Sequence, residues 1–273
     1  MVFSSLTFLY LFLPLTLFLY FVLPSKVRNI LLLLASLFFY FYGEQWYLFL
    51  MVGEILLAYG AGLLLDKEKT GKSGKKMILI LFLTFSLGLL AFFKYANLFT
   101  GTVNAVAGKE LIGSLAFSMP IGISFYTFQA ISYVLDVHAG KYPAEKNILR
   151  LGTYVSLFPQ LIAGPIVRYG DVAKELREKR KFSFARFSEG AFRFTIGLGK
   201  KVLLADRLYA FCQPASAANG PSAVLAWAEG LAFLLYVYFD FSGYSDMAIG
   251  LGNCFGFNIP ENFSYPLISR SVR

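Results

Sequence analysis

Residues 236–252 read Y-V-Y-F-D-F-S-G-Y-S-D-M-A-I-G-L-G. Two carboxylates, Asp240 and Asp246, stand in an apolar, aromatic run among small residues and hydroxyls. The rest of the chain is equally apolar, so this stretch reads as lying at membrane depth. A carboxylate there is costly and faces a bundle interior or a polar cavity. The segment therefore predicts both a membrane fold and the place to look for a site.

Working outward, the chain is 57% hydrophobic and only 15% charged, with a mean hydropathy of +0.62. That excludes an ordinary soluble domain. Apolar runs at 3–23, 28–42, 46–65, 77–93, 115–135, 149–167 and 222–239, with a shorter one at 244–259, predict an all-α polytopic membrane protein. No run repeats another and no long linker separates them, so residues 1–273 read as a single membrane domain. Residues 1–23 carry no charge and lack a basic start, and predict a first membrane-embedded helix rather than a signal peptide. The net charge of +9 is concentrated in loops. It fits loops facing anionic lipid on the cytoplasmic side and argues against nucleic acid as a partner. Cys212 and Cys254 are far apart, and no metal-ligand spacing accompanies them, so neither a disulfide framework nor a metal site is expected.

The basic loops predict topology. Lys26 and Arg28 follow the first segment and Lys67, Lys69, Lys72, Lys75 and Lys76 the third, which makes both loops cytoplasmic. The loops at 43–46 and around 97–113 are then external. The stretch L-G-T-Y-V-S-L-F-P-Q-L-I-A-G-P-I-V-R (151–168) breaks the alternation, because the densest basic cluster, from Arg168 to Arg186, follows it. Pro159, Gly164 and Pro165 also interrupt a regular helix. A kinked span and a re-entrant segment both remain open, and the charge pattern favours the second. Broken backbone at that depth must be buried in protein or line a cavity. Beyond it, Arg186, Arg193, Lys200 and Arg207 recur every seven residues along one helical face. They fit an amphipathic helix in the interface whose basic heads snorkel toward lipid phosphates, and nearly as well a solvated helical face of a cytoplasmic loop, with an anionic-ligand role the weakest of the three readings.

Other motifs carry less. Gly197-Leu-Gly199-Lys200-Lys201 lacks the spacing and the preceding strand of a phosphate loop. His138, the only histidine, has neither a nucleophile elbow nor a metal constellation around it. Glu54 in the third segment fits a helix-packing acid as well as a functional one. Residues 119–129, M-P-I-G-I-S-F-Y-T-F-Q, place Gln129 and several hydroxyls in apolar sequence, where they need partners across helices or in a wet cavity.

Four stretches together resemble the membrane-bound O-acyltransferase family, and within it the bacterial alginate O-acetyltransferase branch. They are 119–137, 154–168, G-L-G-K-K-V-L-L-A-D-R (197–207) and Y-F-D-F-S-G-Y-S-D-M-A-I-G (238–250). The opening M-V-F-S-S-L-T-F-L and the closing P-E-N-F-S-Y-P-L-I-S-R-S are similar to the same branch. The resemblance implies a multi-helix bundle with re-entrant segments around a tunnel. It implies movement of an acetyl group from a cytoplasmic donor such as acetyl-CoA, a co-substrate with no bound cofactor, toward hydroxyls of an exported polysaccharide such as alginate. Periplasmic acetyltransferase proteins would be partners, along with membrane lipid and the polysaccharide acceptor, and the location would be the bacterial inner membrane. The family's catalytic histidine falls just after the position matching S-R-S-V-R. The chain is therefore expected to be the amino-terminal part of such an enzyme, truncated at the carboxy terminus, without that histidine and poorly stable and inactive alone. Asp240, Ser242, Tyr244, Ser245, Asp246 and Gln129 are the expected tunnel or support residues. Pro159, Gln160, Gly164, Pro165 and Arg168 are expected to shape the re-entrant element. A transporter or flippase component, which also uses intramembrane acids and broken helices, and a non-catalytic scaffold are the competing readings.

Overall fold

The computed structural model describes residues 2–67, 71–109, 113, 119–162, 164–215, 222–263 and 266–269. Among them the regular elements are helical. In order they are α1 (Leu13–Val22, preceded by a π turn, Phe8–Phe12), α2 (Arg28–Glu44), α3 (Tyr47–Asp66), α4 (Lys72–Ala107), α5 (Ile123–His138), α6 (Ile148–Ser156), α7 (Phe158–Leu161), α8 (Tyr169–Arg177), α9 (Phe184–Gly199), a second π turn (Lys200–Ala205), α10 (Asp206–Ala215) and α11 (Ala223–Phe255). They form two compact units. The first comprises Met1–Ala35, Ala163–Val167 and Asp171–Arg273; the second comprises Ser36–Ile162 and Arg168–Gly170.

Helices α3, α4 and α11 are long and apolar enough to cross a membrane. Large side chains stay exposed along them, among them Leu81, Phe85 and Phe92 on α4 and Trp227, Leu231 and Phe233 on α11. Such surfaces suit hydrocarbon, where a helix satisfies its own backbone, and not water. The chain is an all-α, multi-pass membrane protein. Two expected boundaries move. The loop placed around 97–113 is helical as far as Ala107, where Gly108 turns the chain at φ 65°. The 36 residues of α4 measure about 54 Å, well beyond a hydrocarbon core of about 30 Å. The runs at 222–239 and 244–259 are one helix through Phe255, because the intervening Gly243 serves packing and does not interrupt it. Residues 115–118 of another expected segment lie outside the described residues.

In the second unit the broken helix has a local cause. Pro159 has no N–H to continue the ladder, and α6 ends at Ser156. Side-chain bonds secure both ends of α6, and two of them replace what the break frees. Asn147 caps the start of α6, its side chain accepting from the Leu149 N–H at 2.9 Å. The Phe158 N–H donates to Ser36 Oγ at 3.0 Å, and Gln160 Nε2 donates to the Tyr154 carbonyl at 2.7 Å. A continuous helix would have joined Phe158 N–H to that Tyr154 carbonyl. Two side chains thus do what one backbone bond cannot, as broken backbone in an apolar interior requires. At about 13 Å, α6 is too short to span.

The first unit is locked at the end of α11 by Tyr20 of α1. Its hydroxyl donates to the Phe255 carbonyl at 2.5 Å and accepts from Arg180 Nε at 2.8 Å. Arg180 also donates to the Glu175 carbonyl and to Asn29 Oδ1. A cation here suits the negative end of the α11 dipole. Tyr20→Phe keeps the ring and strands one acceptor and one donor. The expected loss is about 1–3 kcal/mol of stability, read as a lowered thermal midpoint in detergent.

Candidate functional site

Helices α9 and α11 run antiparallel at backbone contact, and four glycines permit it. A Cβ on Gly190 would sit 2.6 Å from the Gly250 carbonyl oxygen, and one on Gly250 would sit 2.5 Å from that of Gly190. Seven residues on, a Cβ on Gly197 would meet the Gly243 carbonyl at 2.5 Å, and one on Gly243 the Gly197 carbonyl at 2.8 Å. Small residues at such spacing are what lets membrane helices approach closely.

That approach brings opposite charges together. Arg193 follows Gly190 by three residues, Lys200 follows Gly197 by three, and Asp246 follows Gly243 by three. Asp246 Oδ1 accepts from Arg193 Nε at 3.1 Å and from the same guanidinium's terminal nitrogen at 2.9 Å. Asp246 Oδ2 accepts from Lys200 Nζ at 2.6 Å, and Lys200 also donates to Ser242 Oγ at 3.2 Å. Arg193 reaches Glu261 as well, through two of its nitrogens, one of them at 2.5 Å. The π turn that begins at Lys200 lets the adjacent Lys201 face α11 too. Lys201 Nζ donates to Asp240 at 2.5 Å and pairs with Asp206 at 3.0 Å.

Arg193, Lys200, Asp246 and Glu261 thus form a neutral quartet. The Arg193 hydrogen bonds hold the Glu261 carboxyl below the usual carboxylate range, against a smaller opposing effect of burial. A depressed carboxylate contributes above its unfolded pKa, so this pairing is intact at neutral pH and is lost as the pH falls through the lowered value.

The sequence-predicted residues divide between the units. Asp240, Ser242, Tyr244, Ser245 and Asp246 share α11, but not one face. Ser242 and Asp246 meet Lys200, and Asp240 meets Lys201. Tyr244 stacks on Phe3 with ring centroids 4.5 Å apart. Gly164 lies on that side: a Cβ there would sit 3.4 Å from Ala248 Cβ and 4.0 Å from the Tyr244 ring, and its φ of 113° favours glycine. Among the described residues, the buried Tyr244 hydroxyl and Ser245 Oγ have no hydrogen-bond partner. Pro165 is buried in the first unit. Gln129, Pro159, Gln160 and Arg168 belong to the second unit. Gln160 repairs the broken helix, and the wholly buried Gln129 amide has neither atom partnered among the described residues. Arg168 is exposed.

One expectation is corrected. The heads of Arg193 and Lys200 turn to the α11 and Glu261 carboxylates, and Arg186 donates to Asn258 Oδ1 at 2.6 Å. Arg193 and Lys200 do not snorkel outward, because carboxylates at bonding distance hold their heads. Arg193, Lys200, Lys201 and Glu261 are the members of the cluster that sequence reasoning missed. The signal for Arg193 and Lys200 was the seven-residue glycine spacing shared by the two helices, each cation standing three residues after a glycine; no such pattern marks Lys201 or Glu261.

The profile of the MBOAT, membrane-bound O-acyltransferase family, matches residues 145–270, which include the whole cluster. The chain is 42% identical over its full length to the probable alginate O-acetylase AlgI of Pseudomonas syringae pv. tomato, covering 53% of that protein. It is 33% identical, again over its full length, to the peptidoglycan O-acetyltransferase of Helicobacter pylori, covering 58%. A teichoic acid D-alanyltransferase of Bacillus subtilis is 26% identical over 56% of the chain, which covers 40% of that protein. The chain spans about half the length of the curated relatives it matches.

Proposed function

Because the chain belongs to the membrane-bound O-acyltransferase family, we propose that it forms part of an O-acetyltransferase serving an exported polysaccharide, alginate or a similar polymer, in the bacterial inner membrane. The observation that carries this reading is the identity to alginate O-acetylases across the whole chain, with the α9–α11 charge cluster inside the family match. The donor is a cytoplasmic acetyl thioester such as acetyl-CoA, and periplasmic acetyltransferase proteins receive or place the group. In such a transfer the thioester C–S bond breaks, an O-acetyl ester forms, and a base takes the acceptor hydroxyl proton while the sulfur leaves as thiol.

The residues of this chain define their own part in that step. Asp240 and Asp246 each accept bonds from cations, so their oxygens are already occupied by lysine and arginine donors. Their role is to hold Lys200, Lys201 and Arg193 at fixed places beside the path of the acetyl group. We assign the proton to the histidine that the family resemblance places after S-R-S-V-R. The reading is tested by deleting the gene and measuring base-labile acetate in the exported polysaccharide. Loss of acetate, restored by the intact gene, is expected; unchanged acetate would remove the assignment.

A further inference from the structure

After α11 the chain doubles back along the helix it has just left. Gly256 turns it at φ 83°, and the Phe257 N–H closes the helix end on the Gly252 carbonyl at 2.8 Å. Phe257 is fully buried beneath the Arg180 guanidinium, 4.4 Å from its ring centroid. Asn258 accepts from Arg186 and donates to Glu175 Oε1 at 3.0 Å. Ile259 packs on Gly252, where a Cβ would come within 2.6 Å of its side chain. Glu261 reaches the level of Asp246 through Arg193, and Phe263 lies edge-on to Phe241 and Tyr238, at 5.2 and 6.1 Å.

The partners on α11 therefore step backward, from 252 to 246 to 241 and 238, while the strap steps forward from 257 to 263. The lengths agree. Seven extended residues cover about 20 Å, and the helix from 252 to 238 rises about 21 Å. Apolar contacts anchor both ends of the strap. At its centre Glu261 is 61% exposed at the side chain, and the polar tie there is Arg193.

Resting on the acetyltransferase reading, we infer that Arg193 is a positioning residue for acetyl transfer: one guanidinium grips Asp246 on α11 and Glu261 on the strap, and fixes the strap's register beside the charge cluster. Arginine suits this task because its planar fork serves two carboxylates at once, which an ammonium on a flexible stem does not. Glu261 also supplies the second negative charge of the quartet. Without it Arg193 and Lys200 share Asp246 alone, and the cluster gains a net positive charge next to the proposed acetyl path.

The test uses the whole protein in its own membranes, with Cys212→Ser and nitroxides on Asn262→Cys and Trp227→Cys. These sites report the distance from strap to helix. Kinetics of acetyl transfer are measured in parallel on the unlabelled protein. Wild type should give one narrow distance. Glu261→Gln and Arg193→Lys should broaden it and lower kcat on the order of tenfold or more, with the acceptor KM unchanged. Glu261→Asp, which retains the charge, should restore part of both. A broadened distance with wild-type kcat would overturn the positioning role, and an unbroadened distance would overturn the clasp. Absence of transfer by the wild type would defeat the acetyltransferase reading and the catalytic role together, and the distances would still decide whether Arg193 holds the strap.

Discussion

Gly250→Ala should destabilise the protein by about 3 kcal/mol, whereas Gly199→Ala should be neutral or mildly stabilising. The two substitutions add the same methyl group to neighbouring helices. At Gly250 that carbon would lie 2.5 Å from the Gly190 carbonyl oxygen and 2.6 Å from the Phe194 nitrogen, both backbone atoms that cannot rotate away. Helices α9 and α11 must then separate. The dispersion contacts along the shared face weaken, and the Arg193–Asp246 and Lys200–Asp246 bonds lengthen. Gly199 meets nothing within 4 Å, so there alanine only reduces the freedom of the unfolded chain. Thermal midpoints and size-exclusion profiles in detergent would separate the outcomes. Equal behaviour of the two variants would show that the close helix contact does not hold the first unit together.

Asp246→Ala should abolish acetyl transfer and also reduce stability, for separable reasons. The carboxylate neutralises Arg193 and Lys200, and its side chain is only 15% exposed. Removal leaves Lys200 without its carboxylate and Arg193 with Glu261 alone, so the cluster carries one uncompensated, partly buried positive charge, a change more damaging than the absence of the pair. Combining it with Lys200→Met removes one stranded charge at similar volume. The double variant should regain much of the lost stability and none of the activity. Recovery of transfer in the double variant would mean that Asp246 matters only as a counter-ion. Full stability of the single variant would mean that the charges are screened by lipid headgroups or water.

Much of the fold was legible in the sequence because apolar runs of membrane length have few other uses. Pro159 announced the break between α6 and α7, although nothing in the sequence said that Ser36 and Gln160 would supply the replacement bonds. In α11 the sequence divides into runs at 222–239 and 244–259, yet it is one helix, and Gly243 and Gly250 are the points where another helix touches it. Of the residues in the seven-residue recurrence, Arg193 and Lys200 share a face, since both reach Asp246. Periodicity places residues on a face without saying what covers it, so the carboxylates of α11 and Glu261 went unseen as partners. The strap from 257 to 263 has no repeating pattern, and only its contacts reveal it. Asp240 and Asp246 were found for a sound reason, the cost of a carboxylate at membrane depth. Their cations lie about forty to fifty residues earlier in the chain, and tertiary packing alone brings them together.

The central claim is that this chain helps carry acetyl groups across a membrane to polysaccharide hydroxyls, with the α9–α11 cluster holding the path. It is tested most directly in sealed vesicles bearing the whole protein and its partners, supplied with labelled acetyl thioester on the cytoplasmic face and polysaccharide on the other. The account predicts base-labile label on the polysaccharide with wild type and none with Asp246→Ala at equal protein content. Label that appears equally with both, or with neither, would contradict it.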